Sequence, residues 1–200
     1  MKQEQKIQLI PLGGLGEFGK NMVIVVVDDD WVILDAGSAM PEDGMLGIDV
    51  VIPDFSILLE NQDKIRGLIL THGHEPHMGG LPYLLEQINI PIYGSKLTLA
   101  MARFYLNEYD YFEPVQMTTI EPGTPFQLGQ LTCELIHMYH DVFGATGVAI
   151  STKSGWIIHT GDFKVDYTPY ESMNSNLDRL AALGREGVFA LMMDSANAEQ

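Results

Sequence analysis

The sequence predicts an α/β layered protein built on a mixed sheet. Three observations carry that expectation. Apolar runs joined by hairpin turns come early, helical stretches are interleaved only later, and several strands end on glycine next to polar residues. Taken in order, Ile7–Ile10 is the first strand candidate. Met22–Val27 and Trp31–Asp35 follow, joined by Asp28-Asp29-Asp30, which reads as a hairpin turn. Gly67–Leu70 and Ile90–Tyr93 flank a helix over His77–Gln87, and a second helix runs over Leu97–Tyr109. Thr132–Ile136, Thr146–Ser151 and Gly155–His159 are strands, the last two forming a hairpin at Ser154-Gly155. A helix over Leu177–Leu183 is capped by Asn176 and stopped by Gly184, and Phe189–Met193 reads as a buried strand. The loop begun by Asp194-Ser195-Ala196-Asn197 has nothing after Gln200 to complete it, so the chain reads as cut short.

Composition removes several classes of function. The chain has 200 residues, 46% of them hydrophobic and 19% charged, which suits one core-forming domain. Its 20 glycines and 10 prolines stay well below the roughly 25–30% of a low-complexity chain. The longest apolar run, Met22–Val27, is far shorter than the ~20 residues of a membrane span. Ile7–Leu12 is too brief for a signal peptide and is interrupted by Pro11. The single cysteine, Cys133, excludes an internal disulfide framework, fits a reducing cytoplasm, and reads as a small buried hydrophobe in mid-strand. Eleven basic residues against 27 acidic ones leave a formal charge of −16, so most of the surface repels polyanions. Nucleic acid is expected only where basic residues gather locally.

Three strands deliver ligand-type side chains at their carboxyl ends. Trp31-Val32-Ile33-Leu34 runs into Asp35-Ala36-Gly37. Leu68-Ile69-Leu70 runs into Thr71-His72-Gly73-His74-Glu75-Pro76-His77. Gly155-Trp156-Ile157-Ile158 runs into His159-Thr160-Gly161-Asp162. Sites in layered α/β folds assemble where such strand ends meet. Imidazoles and carboxylates converging there point to a divalent metal. Three histidines within six positions, in a chain of six histidines, are difficult to assign to packing alone.

The segment Thr71–Gly80 resembles the His-x-His-x-Asp-His signature of metallo-β-lactamase-fold hydrolases. Further segments narrow the resemblance: Pro11–Asn21, Leu34-Asp35-Ala36-Gly37, His159–Asp166 and Asp194-Ser195-Ala196-Asn197 are similar to the ribonuclease J family, RNA-degrading enzymes of the β-CASP branch. The resemblance runs from about Ile7 to Glu199. It implies a metallo-β-lactamase-like αββα sandwich over residues 1–200, stopping at the start of a β-CASP insert.

It also implies a site. His72 and His74 would share one metal with a histidine from a later loop. His137 is the better match there, by a His-x-x-x-Asp pattern, and His140 takes its place if the loop register slips. Asp162 would bridge two metals and His77 would serve the second. Asp35 would orient the ligands, so that Asp162, His77 and Asp35 form the catalytic group. Asp194 would correspond to the acidic motif leading into the insert, with Ser195 and Asn197 contacting RNA phosphate. His159 reads as structural. The implied activity is hydrolysis of RNA phosphodiesters in RNA and rRNA processing, both from the 5′ end and internally. The implied cofactor is Zn2+, with Mn2+ or Mg2+ as the other divalent ions, and no membrane is involved. Implied partners are RNA, copies of the chain, and a paralogous subunit.

One departure bears on chemistry. Pro76 stands where the family has a metal-binding aspartate, and proline has no side-chain oxygen. In the first turn of a helix it costs the fold little. The second metal would then keep only His77 and a share of Asp162. Weak hydrolysis is one expectation, and a non-catalytic subunit supporting an active paralogue is the other. A metallo-β-lactamase-fold hydrolase of thioesters, lactones or β-lactams is a third.

Overall fold

A computed structural model describes residues 5–109, 114–168, 175–196 and 198. Among them, eleven strands form two sheets. β1 (Ile7–Gly13), β2 (Met22–Val27) and β3 (Asp30–Leu34) open the chain. The short helix α1 (Ser56–Leu59) and a single 3-10 turn lead to β4 (Ile65–Leu70). After α2 (Glu75–Met78) and α3 (Leu81–Leu85) come β5 (Ile92–Gly94), α4 (Lys96–Glu108) and β6 (Met117–Thr119). The second half holds β7 (Phe126–Leu128), β8 (Leu131–His137), β9 (Thr146–Thr152), β10 (Gly155–His159), α5 (Leu177–Glu186) and β11 (Val188–Met192).

The first sheet has the order β1-β2-β3-β4-β5-β6 and is antiparallel at β1–β3, then parallel to β6. The second has the order β11-β10-β9-β8-β7, antiparallel except for the parallel β10–β11 edge. Period-2 alternation decides which face meets which layer. Met22, Ile24, Trp31, Ile33, Leu68 and Leu70 point to the helices α1–α4. Their neighbours Val25, Val27, Val32, Leu34 and Ile69 pack against Cys133, Leu135, Val148, Ile150 and Ile157 of the second sheet. On that sheet's far face, Ile136, Ala149 and Ile158 meet Leu183 of α5. Helices, sheet, sheet, helix: this is the αββα order expected, with mixed sheets between helical layers. Among the described residues, no helix is long and apolar enough to cross a membrane.

Several local expectations need correction. The helix over His77–Gln87 is two helices, α2 and α3, parted at Gly79-Gly80. The backbone of Gly80 donates to the Ala36 carbonyl (2.8 Å), and a Cβ at Gly80 would crowd the carbonyls of Gly37 and Ala36. The helix start at Asn176 stands, its side chain accepting from Arg179 N at 3.0 Å. The stop does not fall at Gly184: α5 passes through it and ends at Gly187, whose φ of 110° leaves the helical region. Asp30 belongs to β3 and not to the turn. It is buried, paired with Arg66, and accepts from Gln130 N at 2.7 Å. The strand over Phe189–Met193 exists as β11, but only one face is covered. Ala190 and Met192 pack inward, while Phe189 and Leu191 are half exposed on an edge strand. β6 and β7, three residues each, carry too little apolar pattern to be read from sequence. Cys133 is a fully buried core residue, as its place in the strand predicted.

Candidate metal centre

The site forms at the rim where β3, β4 and β10 end and the segment after β8 crosses above them. Thr71 joins the two sheets there. Its carbonyl accepts from both the backbone N (2.9 Å) and Oγ1 (3.0 Å) of Thr146, at the start of β9. Gly161, in the left-handed region at φ 58°, passes so close to Thr71 that a Cβ would lie 3.0 Å from the threonine's own Cβ. That approach places Asp162 over His72.

Asp35 organises the floor. It is fully buried, and its Oδ1 accepts from Thr71 N (2.8 Å) while Oδ2 accepts from Thr71 Oγ1 (2.9 Å). His77 Nδ1 lies 2.8 Å from Asp35 Oδ2, and His159 Nε2 lies 3.6 Å from the same oxygen. Burial opposes ionisation of Asp35, but the charge and hydrogen bond of His77, with the hydrogen bond of His159, hold its carboxyl well below the usual range. The chain around α2 is stitched to this floor. Ala36 N donates to the His77 carbonyl (2.8 Å), Asn21 N donates to the Pro76 carbonyl (3.0 Å), and Gly37 leaves no room for a Cβ against that carbonyl.

Above the floor, His72, His74, His140 and Asp162 each offer one donor atom, all within 4.8 Å of one another. His72 is buried and its Nε2 has no hydrogen-bond partner among the described residues, with Asp162 Oδ2 at 3.7 Å. His140 Nε2 lies 3.2 Å from His74 Nδ1 and 3.8 Å from Asp162 Oδ2. Burial, reinforced by the His77 charge, pushes His72 down to about 3, so it presents a neutral, ligand-ready imidazole at neutral pH. Burial also lowers His140, against the pull of Asp141 and Asp162. His77 behaves oppositely. Burial disfavours its charge, but Asp35 and Asp162 outweigh that and raise it to about 9. For Asp162, burial opposes ionisation, yet the hydrogen bond and charge of His77 lower it. A buried imidazole with a free Nε2 and its Nδ1 held by Thr71 Oγ1 at 3.0 Å, beside two more imidazoles and a carboxylate, is a nitrogen–oxygen donor set that fits a divalent cation.

The structure thus groups His72, His74 and Asp162 with His140 and not with His137. His137 is still paired with Thr146 in the β8–β9 ladder, so the pleat sets its direction, and its buried Nε2 has no hydrogen-bond partner among the described residues. Three residues on, the chain has left the strand, and His140 turns to His74. His77 sits 3.1 Å from Asp162 Oδ1 and 3.1 Å from the Asn21 amide nitrogen. Pro76 occupies the second position of α2, which begins at Glu75, two residues before the helix start expected at His77. Asp194 spends its Oδ1 on Ala196 N (2.7 Å), and its own N donates to Thr160 Oγ1 (3.2 Å). Ser195 is exposed, and Asn197 lies outside the described residues. Thr71 and Asn21, which hold this arrangement together, carry no signal of spacing that would single them out.

A sequence profile of the metallo-beta-lactamase superfamily matches residues 15–170. Ribonuclease J 2 of Staphylococcus aureus (strain NCTC 8325 / PS 47) is 43% identical over 199 residues, covering all of this chain and 36% of the relative. Ribonuclease J of Helicobacter pylori (strain ATCC 700392 / 26695) is 38% identical over 206 residues, covering all of this chain and 29% of the relative. The chain therefore spans about a third of the length of these curated relatives. Among solved structures, the metallo-beta-lactamase fold protein YhfI from Bacillus subtilis superposes with a TM-score of 0.56 at 19% identity, over 80% of this chain and 63% of that one.

Proposed function

Because this chain belongs to the metallo-beta-lactamase superfamily, we propose that it acts as a metal-dependent hydrolase of RNA phosphodiesters, of the ribonuclease J type, with a site reduced to one strong metal position. The convergence of His72, His74, His140 and Asp162 within 4.8 Å, around the unpartnered Nε2 of His72, carries this reading. The likeness to ribonuclease J along the whole chain supports RNA as the substrate in this reading.

In this reading the three imidazoles and Asp162 hold a divalent cation, and the nitrogen-rich set favours Zn2+ over Mg2+, with Mn2+ as a substitute. Such an ion stabilises charge on phosphoryl oxygens and lowers the pKa of water toward about 7. Asp35 keeps Thr71 and His77 in place from below. His77 in turn holds Asp162 through Oδ1, leaving Oδ2 facing His72.

Pro76 decides how much activity remains. A two-metal clamp needs donors for both ions. Here the position that would add a carboxylate supplies only a backbone carbonyl, already used by Asn21. Slow single-metal cleavage follows, both from the 5′ end and internally, in the cytoplasmic RNA pool and in rRNA maturation. The same substitution favours a second reading, in which the chain supports an active paralogue in a mixed oligomer and cleaves nothing itself.

Metal content after purification without chelators, followed by single-turnover cleavage of an end-labelled single-stranded RNA, tests this. About one zinc per chain and slow, chelator-sensitive cleavage are expected. Metal without cleavage selects the supporting-subunit reading. A chain that takes up neither zinc nor manganese at neutral pH overturns both.

A further inference from the structure

Pro76 removes a carboxylate from the metal centre, and the acidic side chains around the rim differ sharply in what they are doing. Asp35 is buried and taken up by Thr71 and His77. Glu75, the residue before the proline, turns to Ser38, whose Oγ donates to its Oε1 at 3.5 Å. Asp166 receives Thr168 N (2.8 Å) and Asp194 receives Ala196 N (2.7 Å), so both cap their own turns. Asp141 is different. It accepts no backbone hydrogen bond among the described residues, and it is a largely exposed side chain at the border of the four-residue cluster, with one oxygen near two of its histidines. Oδ1 lies 2.9 Å from His140 Nε2 and 3.8 Å from His74 Nε2, while Oδ2 lies 3.8 Å from Lys164 Nζ.

We propose that Asp141 is a further oxygen donor to the cation held by His72, His74, His140 and Asp162, replacing from the β8–β9 segment the carboxylate that Pro76 cannot provide from α2. This rests on the metal-binding reading above and adds to it a residue and a coordination number. Two observations carry the inference independently. One is the buried, unpartnered His72 Nε2, which marks the centre as built for a ligand. The other is that a single carboxylate oxygen lies within 4 Å of two of the four donor residues. The remaining oxygen lies beside Lys164, on the exposed side of the rim. Chemically the set becomes three nitrogens and two oxygens, which suits zinc or manganese in five-coordination.

The test is metal binding and its spectrum, with no RNA present. Zinc affinity is measured by competition with a chromophoric chelator for the unaltered chain, Asp141→Asn and Lys164→Gln, and cobalt(II) is substituted in each. Asp141→Asn is expected to weaken zinc about ten-fold and to intensify the cobalt visible bands, as five-coordination gives way to four. Lys164→Gln is expected to leave affinity and spectrum in place. An Asp141→Asn chain with unchanged affinity and an unchanged spectrum overturns the assignment while leaving the proposed function standing. An equal loss in Lys164→Gln also overturns it, by showing that the segment's packing and not ligation sets affinity. Failure of the unaltered chain to bind zinc or cobalt removes the metal-binding reading itself.

Discussion

The Asp35 carboxylate and the His77 imidazole form a pair that is almost wholly buried, Oδ2 to Nδ1 at 2.8 Å, with side-chain exposures of 1% and 3%. Everything at the rim is referenced to it, because Asp35 also fixes Thr71 and His77 also fixes Asp162. Removing one member of such a pair leaves an uncompensated buried charge, which costs about 3–5 kcal/mol. Asp35→Asn is therefore expected to lower the unfolding free energy of the metal-free chain by about that amount in urea titrations. The pH dependence follows from the same pair. His77 is raised from 6.5 to about 9 in the fold, so the folded state holds a proton that the unfolded state has lost. Its stabilisation is complete below pH 6.5 and is lost as pH rises through 9. Metal-free stability should fall across that window, and Asp35→Asn should flatten the fall.

His137 and His140 give a direct comparison. His140→Ala is expected to weaken zinc by 100-fold or more, since it takes a donor from the cluster. His137→Ala should leave zinc affinity within about three-fold. Chelator competition on the two variants reads both, and the reverse pattern would return the site to the strand residue.

Pro76→Asp restores a carboxylate to the second position of α2, where the backbone tolerates most residues. We expect the metal content to rise from about one to about two ions per chain and single-turnover RNA cleavage to rise by at least 100-fold, the order expected when both attacking and leaving oxygens are clamped. Equal rates in the two proteins would show that Pro76 is not what limits the chemistry.

Cys133 lies between the sheets, and burial pushes its thiol up to about 12 from 9. Thiolate is the reactive form, so alkylation at pH 8 should proceed only at the rate of global unfolding and accelerate in denaturant. Because the folded pKa is raised, the associated stability is present below pH 9 and declines as pH climbs toward 12. Rapid labelling of the folded chain would place Cys133 outside the inter-sheet core.

Much of the architecture was legible because its signals are local. Met22–Val27 and Gly155–His159 were read with their exact bounds, since a short apolar run bounded by turn residues defines a strand without reference to its neighbours. Asn176 was read as a cap from its side chain alone. The errors fall where a distant backbone intervenes. Gly79-Gly80 splits a helix because Ala36 and Gly37 press against it, Asp30 is drawn from the turn by Arg66 and Gln130, and β11 is half exposed because it lies at a sheet edge.

The donor types were determined by sequence: which imidazoles and carboxylates stand at the ends of β3, β4 and β10, and that Pro76 brings no side-chain oxygen, are covalent facts that no packing alters. Only the tertiary structure decided that His140 joins His72, His74 and Asp162 while His137 stays in its strand, and that an Asp141 oxygen comes within 4 Å of His74 and His140. The reason is that β8 pairs with β9 through His137–Thr146, which commits His137 to the pleat and releases the next residues to cross the rim. That register is set by apolar packing across the two sheets, a sum over many separated residues that no short stretch of sequence contains.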